Sequence, residues 1–272
     1  MTSPSDVEDI AAEALDAFDA GRQIAPFSGR RHGFDLALAY RAAACIRERR
    51  MARGEVPVGR KIGFTNRTIW PEYGVWAPIW GDVYDSTARD LPASAEGFAL
   101  GRFAEPRIEP EIVFGLACAP GAGMDDAALL GCIDWVAHGF EIVQSIYPGW
   151  RFAAADTVAA CGMHAALLIG PRHAVGDDAP RWLAALASFE IELSCDGVPV
   201  DRGRAANVLD GPLAALRHLV QALANEPSQP ALAAGEIVTT GTLTRAFPIA
   251  AGQTWATALH GVPLDGIEVR FT

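Results

Sequence analysis

The sequence predicts an α+β chain: a helical N-terminal region over residues 1–56, then a strand-rich core over residues 57–272, in one structural unit. Three observations carry this. The first 56 residues hold two stretches with apolar side chains at helical spacing, each closed by a glycine. From Pro57 onward the chain changes to short β-type runs punctuated by Gly and Pro. Regular strand–helix alternation is missing, as are GxGxxG and GxxxxGK[ST], so a doubly wound nucleotide-binding fold is not supported.

The elements follow in order. Residues 6–20 place Val7, Ile10, Ala14, Leu15 and Phe18 on one helical face, and Gly21 stops the helix. Residues 24–27 form a connector. Residues 35–53 form a second helix, with Leu38, Ala39, Ala42 and Ile46 on its apolar side. Arg47 to Arg50 lie near its C-terminus, where cations suit the helix dipole. Strands are expected over residues 58–64, 108–116, 165–169, 189–194, 236–240, 254–259 and 266–271. Asp196-Gly197 marks a hairpin between residues 190–195 and 198–201. Residues 125–132 and 212–223 read as helices, and residues 225–234 as a loop.

The composition narrows the function. Half of the 272 residues are hydrophobic and 20% are charged, which excludes wholesale disorder. Asp and Glu total 33 against 22 Lys and Arg, a net charge of −11. That balance disfavours nucleic acid and anionic membranes as partners. It leaves small anionic substrates open, because a bound cation reverses the local field. No apolar run reaches the ~18 residues of a membrane span. The acidic start lacks the basic and apolar segments of a signal peptide. The cysteines Cys45, Cys118, Cys132, Cys161 and Cys195 are odd in number and widely spaced, which fits a reduced, cytoplasmic protein.

The chemistry is concentrated in carboxylates. In Arg107-Ile108-Glu109-Pro110-Glu111-Ile112, strand alternation points Glu109 and Glu111 to one face. Two carboxylates aimed together repel unless water, a base or a cation separates them. Glu190 and Glu192 show the same spacing, but their alternation beside the Asp-Gly turn reads as the solvent face of a hairpin. Glu141 is isolated in the apolar run from Trp135 to Val143, which calls for an ion or an Arg as partner.

These residues resemble a known family. Gly59-Arg60-Lys61-Ile62-Gly63-Phe64-Thr65 is similar to the GRKIGLT element of the 2-keto-4-pentenoate hydratase and 4-oxalocrotonate decarboxylase family, within the fumarylacetoacetate hydrolase superfamily. Gly74-Val75, Pro78 and Gly81 resemble its next stretch. Arg107 to Glu111, Phe140 to Val143, Asp156 to Ala159 and Gly235 to Thr244 resemble four further elements, in order and over nearly the whole chain. The resemblance implies a mixed β-sandwich roll with a helical N-terminal region. It implies Mg²⁺ or Mn²⁺ held by Glu109, Glu111 and Glu141, with Lys61 beside the substrate. It extends substrate contacts to Arg60, Thr65, Asp156, Thr242 and Leu243.

The chain departs from the family after Ala159. Ala160-Cys161-Gly162-Met163-His164 stands where Asp-Asn-Ala-Ser is usual, so His164 is either structural or a general base or substrate contact replacing the missing polar pair. Tyr84-Asp85-Ser86-Thr87 places Asp85 one residue before the family's acidic position, and Asp85 joins Lys61 and His164 as a catalytic candidate. Cys161 reads as a buried, inert thiol. Trp70, Trp76 and Trp80 fall within eleven positions. They form either a packing surface or the wall of a bulky, partly aromatic substrate pocket.

The expected function is metal-dependent hydration or decarboxylation of unsaturated 2-oxo acids in aromatic-compound catabolism, by a homo-oligomer. The alternatives are an acylpyruvate C–C hydrolase of the same fold and a catalytically silent relative that binds a partner enzyme.

Overall fold

The computed structural model describes residues 4–92, 96–176, 178–226 and 229–272. Residues 1–3 of the expected N-terminal region and residues 227–228 of the expected loop lie outside these. The helices α1 (Pro4–Asp19) and α2 (Leu36–Ala52) come first. The chain continues through β1 (Pro57–Gly63), α3 (Trp70–Tyr73), β2 (Ile79–Tyr84), β3 (Ala88–Asp90), β4 (Arg107–Leu116) and α4 (Asp126–Leu130). Then follow β5 (Ile133–Val143), α5 (Ala154–Ala159), β6 (His164–Ala174), α6 (Ala179–Ser188), β7 (Glu190–Cys195) and β8 (Val198–Arg204). It closes with α7 (Pro212–Ala224), β9 (Ile237–Thr239), β10 (Phe247–Pro248), β11 (Thr254–His260) and β12 (Glu268–Arg270).

Two sheets organise the fold. The larger runs β2-β1-β9-β4-β5-β6-β3, with β10 pairing on β4. It is mixed: β1 and β9 are parallel, whereas β4 is antiparallel to both β5 and β9. The smaller, antiparallel sheet runs β12-β11-β7-β8.

Strand alternation gives β4 two faces. Ile108 packs with Leu193, Trp255 and Val269 against the small sheet. Ile112 and Phe114 pack with Trp182, Leu213 and Leu216 from α6 and α7. The opposite face carries Glu109, Glu111 and Val113, the last against Val83, Ala137 and Leu167. His138 stands on the apolar side of β5 and ties the sheets together. Its Nδ1 donates to the Glu111 carbonyl at 2.9 Å, and its Nε2 lies 2.9 Å from Thr257 Oγ1 on β11.

The N-terminal helices cover one end of the large sheet. Asp35 caps α2 by accepting from Leu38 N–H at 2.8 Å. Leu38, Ala42 and Ile46 then bury against Ile10 and Ala14 of α1, together with Tyr147 and Val158.

The helix-then-strand order matches the expectation, and the β7–β8 hairpin turns at Asp196-Gly197. Glu192 on β7 faces outward and pairs with Arg202 of β8 at 2.7 Å. The sequence reading missed α3, β2, β3, β5, α5, α6 and β10, and three of these show why. All six residues of β2 are buried, and β5 is buried at its last eight positions, so neither shows the half-polar alternation of a one-sided strand. The third, α6, begins with a proline in its first turn, in a segment to which the sequence reading assigned no element. All five cysteines are free.

Candidate active site

Register assembles the site. Glu109 of β4 lies directly opposite Glu141 of β5, and Glu111 is two residues along on the same face. One carboxylate oxygen from each of the three comes within 4.8 Å of the others. Lys61 enters from β1, with Nζ 3.1 Å from Glu141 Oε2.

Glu111 and Glu141 are fully buried, and Lys61 is 3% exposed. Glu111 Oε2 accepts from Gly241 N–H at 2.8 Å and from the Thr239 hydroxyl. Its Oε1 is buried with no hydrogen-bond partner among the described residues. Gly241 adopts φ +97°, and a Cβ there would fall 2.0 Å from Thr65 Oγ1, so only glycine brings this N–H to Glu111. Glu141 Oε1 accepts from His164 Nδ1 at 2.7 Å. On the far side of that ring, Nε2 lies 2.9 Å from Thr87 Oγ1.

The electrostatics follow from burial and crowding. Burial and the Glu141 charge push Glu109 up to about 7, with Lys61 pulling against them. Burial and Glu141 push Glu111 well above the carboxylate range. Burial also opposes ionisation of Glu141, yet Lys61 and His164 hold it below its ordinary value. For Lys61, burial favours the neutral amine, but Glu141, Glu109 and Glu111 outweigh it and keep the ammonium. Burial lowers His164. A set of three carboxylates with an orphaned buried oxygen and one lysine lacks positive charge. A hard divalent cation with oxygen preference is the partner that fits.

A cavity of about 120 Å³ opens beside this cluster. Its polar lining includes Lys61, Glu109, Arg107, Thr65, Thr157 and Thr242. Its other wall is aromatic: Tyr73 packs on Phe64 at 5.3 Å and on Phe152 at 5.4 Å, and Trp150 lies 6.0 Å from Phe152. The Arg107 guanidinium sits 4.2 Å over the Trp150 ring and has no ion pair among the described residues. Gly162, at φ +64°, lets the chain pass the lysine stem. A Cβ there would meet Lys61 Cδ at 2.9 Å. A larger, open concavity of about 540 Å³ lies over β7 and β8. It holds no comparable cluster of buried polar groups.

The structure thus brings Lys61, Glu109, Glu111, Glu141, Thr65 and Thr242 together. The other candidates lie elsewhere. Arg60 points to the opposite face of β1, fully buried, with Nη1 2.9 Å from Asp82 Oδ1. Asp156 accepts from Ser28 N–H at 3.0 Å and from Ala153 N–H at 2.8 Å, joining α5 to the N-terminal region. Leu243 is a core residue whose N–H donates to the Pro110 carbonyl. Asp85 is exposed and accepts from Val56 N–H. His164 stands behind Glu141 and lines a separate cavity of about 190 Å³. Trp76 is 77% exposed, Trp80 is in the core, and Trp70 donates its Nε1–H to the Phe64 carbonyl. None of the three tryptophans lines the small cavity. Burial pushes the Cys161 thiol up to about 11, which keeps it unreactive.

Sequence reading missed Thr87, Thr239, Thr157 and the aromatic wall. Thr239 and Gly241 lie in the Gly235–Thr244 stretch, but only the fold shows that they face Glu111. Phe64, Tyr73, Trp150 and Phe152 come from three separate segments, and no periodicity links them.

Comparison with known proteins gives a consistent picture. No family profile matches the chain. It is 29% identical over 274 residues to a 2-hydroxyhexa-2,4-dienoate hydratase of Comamonas testosteroni, covering 98% of this chain and 99% of that one. It is 30% identical over 164 residues to a 2-hydroxypent-2,4-dienoate hydratase of Pseudomonas putida, covering 58% of this chain and 72% of that one. The fold matches a 4-oxalocrotonate decarboxylase from Pseudomonas putida G7, solved with magnesium and adipate. The TM-score is 0.89 at 24% identity, over 100% of this chain and 99% of that one. A fumarylpyruvate hydrolase from Pseudomonas aeruginosa, solved with Mn²⁺ and pyruvate, matches at TM-score 0.53 and 14% identity, over 78% and 88% of the two chains. The two solved enzymes share its fold, and with two dienoate hydratases alike in sequence the chain belongs to the 2-keto-4-pentenoate hydratase and 4-oxalocrotonate decarboxylase family.

Proposed function

We propose that the protein is a divalent-metal-dependent lyase of unsaturated 2-oxo acids, working in aromatic-compound catabolism by adding water to a dienoate or removing CO₂ from an oxo diacid. The observation that carries this reading is the convergence of three carboxylates and Lys61 beside a small, aromatic-walled cavity, which Lys61 and Glu109 line. Glu109, Glu111 and Glu141 would hold Mg²⁺ or Mn²⁺. When bound, that ion supplies Lewis-acid polarisation of a 2-oxo acid.

The chain's own residues supply the rest. Lys61 offers an ammonium to a substrate oxygen, or a proton to the carbon chain, from a fixed position beside Glu141. Thr65, Thr157 and Thr242 line the same space; the Thr157 and Thr242 hydroxyls donate to the carbonyls of Ala154 and Thr244, which leaves Thr65 to orient the acid. The wall of Phe64, Tyr73, Trp150 and Phe152 holds the hydrocarbon end and excludes bulk water. A volume of about 120 Å³ suits a short-chain acid rather than a bulky one. A homo-oligomer in the cytoplasm completes the reading. Among the described residues no helix is long and apolar enough to cross a membrane.

Water addition to a monoanionic dienoate is favoured by the apolar wall. Decarboxylation of a dicarboxylic substrate is the second reading. It is favoured by Arg107, a cation with no salt bridge among the described residues, which shares the Glu109 face of β4 and lines the cavity.

The test is direct. The purified protein is incubated with Mg²⁺ or Mn²⁺ and, separately, 2-hydroxypenta-2,4-dienoate, 4-oxalocrotonate and an acylpyruvate. Loss of diene absorbance without CO₂ establishes hydration, and CO₂ release establishes decarboxylation. Pyruvate plus a second acid from the acylpyruvate would replace this reading with C–C hydrolysis. Metal binding without turnover of any of the three would replace it with a silent, partner-binding relative.

A further inference from the structure

The two fully buried carboxylates share one pattern. Each is tied by one oxygen and left open at the other. Glu111 is tied at Oε2 by Thr239 and Gly241, and its Oε1 has no hydrogen-bond partner among the described residues. Glu141 is tied at Oε1 by His164, and its Oε2 lies 3.1 Å from the Lys61 ammonium with no further partner among the described residues.

His164 is built to hold that pose. Its ring is 1% exposed, and both nitrogens are engaged by protein atoms, Nδ1 on Glu141 and Nε2 on Thr87. Thr87 is fixed in turn by Tyr84, whose N–H and carbonyl lie 3.2 and 3.1 Å from its hydroxyl oxygen. A carboxylate only accepts, so Nδ1 carries hydrogen in this pair whatever the charge of the ring. Neither nitrogen is free to reach a substrate, and His164 does not line the small cavity.

We propose that His164, braced from behind by Thr87, is a positioning residue that holds Glu141 by Oε1 and so reserves Oε2 for a divalent cation. A glutamate free to turn about its last side-chain bond exchanges its oxygens. It samples poses in which both oxygens, or neither, face the cluster. Fixing one oxygen selects a single pose and lowers the ordering cost of binding an ion. The proposal rests on reading the carboxylate cluster as a metal centre.

The experiment uses Mn²⁺ as probe, with the metal-free full chain and free Mn²⁺ read by electron paramagnetic resonance. Three variants are compared with the wild type, each checked for fold by circular dichroism and Tm. In His164→Asn the side-chain amide replaces the Nδ1 donor, and in His164→Gln it replaces Nε2. The expected result is a Kd for Mn²⁺ raised roughly 10- to 100-fold in His164→Gln and restored to within about 3-fold in His164→Asn. A purely structural role predicts no such split between two amides that both fill the site. Equal weakening by both, or no weakening by either, would overturn the proposal. Thr87→Val keeps the side-chain shape and removes only the brace. Its Kd is expected to rise about 3- to 10-fold. That variant decides the matter if the His164 variants do not fold, and an unchanged Kd would count against the proposal. A wild type that binds no Mn²⁺ would overturn the metal-centre reading itself, and this proposal with it.

Discussion

Glu109 and Glu141 face each other across the antiparallel register of β4 and β5, at the point where Lys61 enters from β1. Opposed like charges on neighbouring strands destabilise a sheet unless something between them compensates. One lysine balances one of three carboxylates, and the remainder of the charge sets the site's demand for a cation.

That demand is testable residue by residue. Glu109→Gln, Glu111→Gln and Glu141→Gln should each weaken Mn²⁺ binding by at least about tenfold, as loss of a charged oxygen ligand requires. Glu192→Gln should leave it unchanged, because Glu192 lies on the small sheet against Arg202. Isothermal titration calorimetry on the four variants checks this. The two Glu-x-Glu pairs have the same spacing in sequence, and only burial separates them. Equal effects at Glu109 and Glu192 would show that the faces are wrongly assigned.

Lys61 occupies Glu141 Oε2, the oxygen that a metal in the proposed site would also need. Removing its charge has two consequences of opposite sign. Lys61→Met should lower turnover by about a hundredfold or more, the scale of a lost proton donor or anion contact. The same change should leave Mn²⁺ affinity equal or tighter, because the competing ammonium is gone. Parallel turnover and calorimetric measurements separate the two. Loss of both together would mean that Lys61 holds the carboxylates in place rather than acting on the substrate.

Much of this was legible in the sequence, for physical reasons that also mark the limit. Period-two alternation put Glu109 and Glu111 on one face before any coordinates, and isolation in an apolar run singled out Glu141. The order of elements followed from Gly and Pro punctuation. Periodicity loses its signal where both faces of a strand are buried, which hid β2 and β5. Arg60 and Lys61 are neighbours in one motif, yet alternation sends them to opposite faces of β1 and separates their roles. The ring–hydroxyl contact between His164 and Thr87 joins residues 77 apart in sequence, and no local rule reaches that far.

Arg60 makes its own prediction. It is fully buried on the far face of β1, and Asp82 receives both it, at 2.9 Å, and Arg47. Asp82→Ala would strand a guanidinium whose Nε and Nη2 already lack hydrogen-bond partners among the described residues. Breaking a buried pair from one side costs about 3–5 kcal/mol. For a chain of this size, that lowers Tm by roughly 10 °C. Arg202→Ala, which removes an 80%-exposed partner of Glu192, should cost less than about 1 kcal/mol. Thermal unfolding of the two variants reads the contrast. A fall of only a degree or two in Asp82→Ala would mean that Glu236, 3.9 Å from Arg60, takes over the pairing.

His138 sets a pH dependence whose sign can be worked through. Burial depresses its ring to about 4, against a partial restoring effect of the Glu111 carbonyl. Between pH 4 and 6.5 the unfolded chain therefore binds a proton that the folded chain refuses. Stability rises with pH across that window, is fully present above about 6.5, and is lost as pH falls toward 4. The raised carboxyls Glu109 and Glu111 act in the opposite sense, so the wild-type profile mixes the two. His138→Gln isolates the ring, since both carboxyls remain. Between pH 7 and pH 4.5 the wild type should lose about 2–3 kcal/mol more unfolding free energy than this variant, measured by urea denaturation in EDTA. The loss should begin where β5 and β11 meet, because a protonated ring leaves an uncompensated buried charge between the sheets beside Thr257. Hydrogen exchange at the β5–β11 contact would then quicken before the β4–β5 pairing does. Equal pH profiles for wild type and His138→Gln would mean that the ring is solvated, and that the two sheets are held together by apolar packing alone.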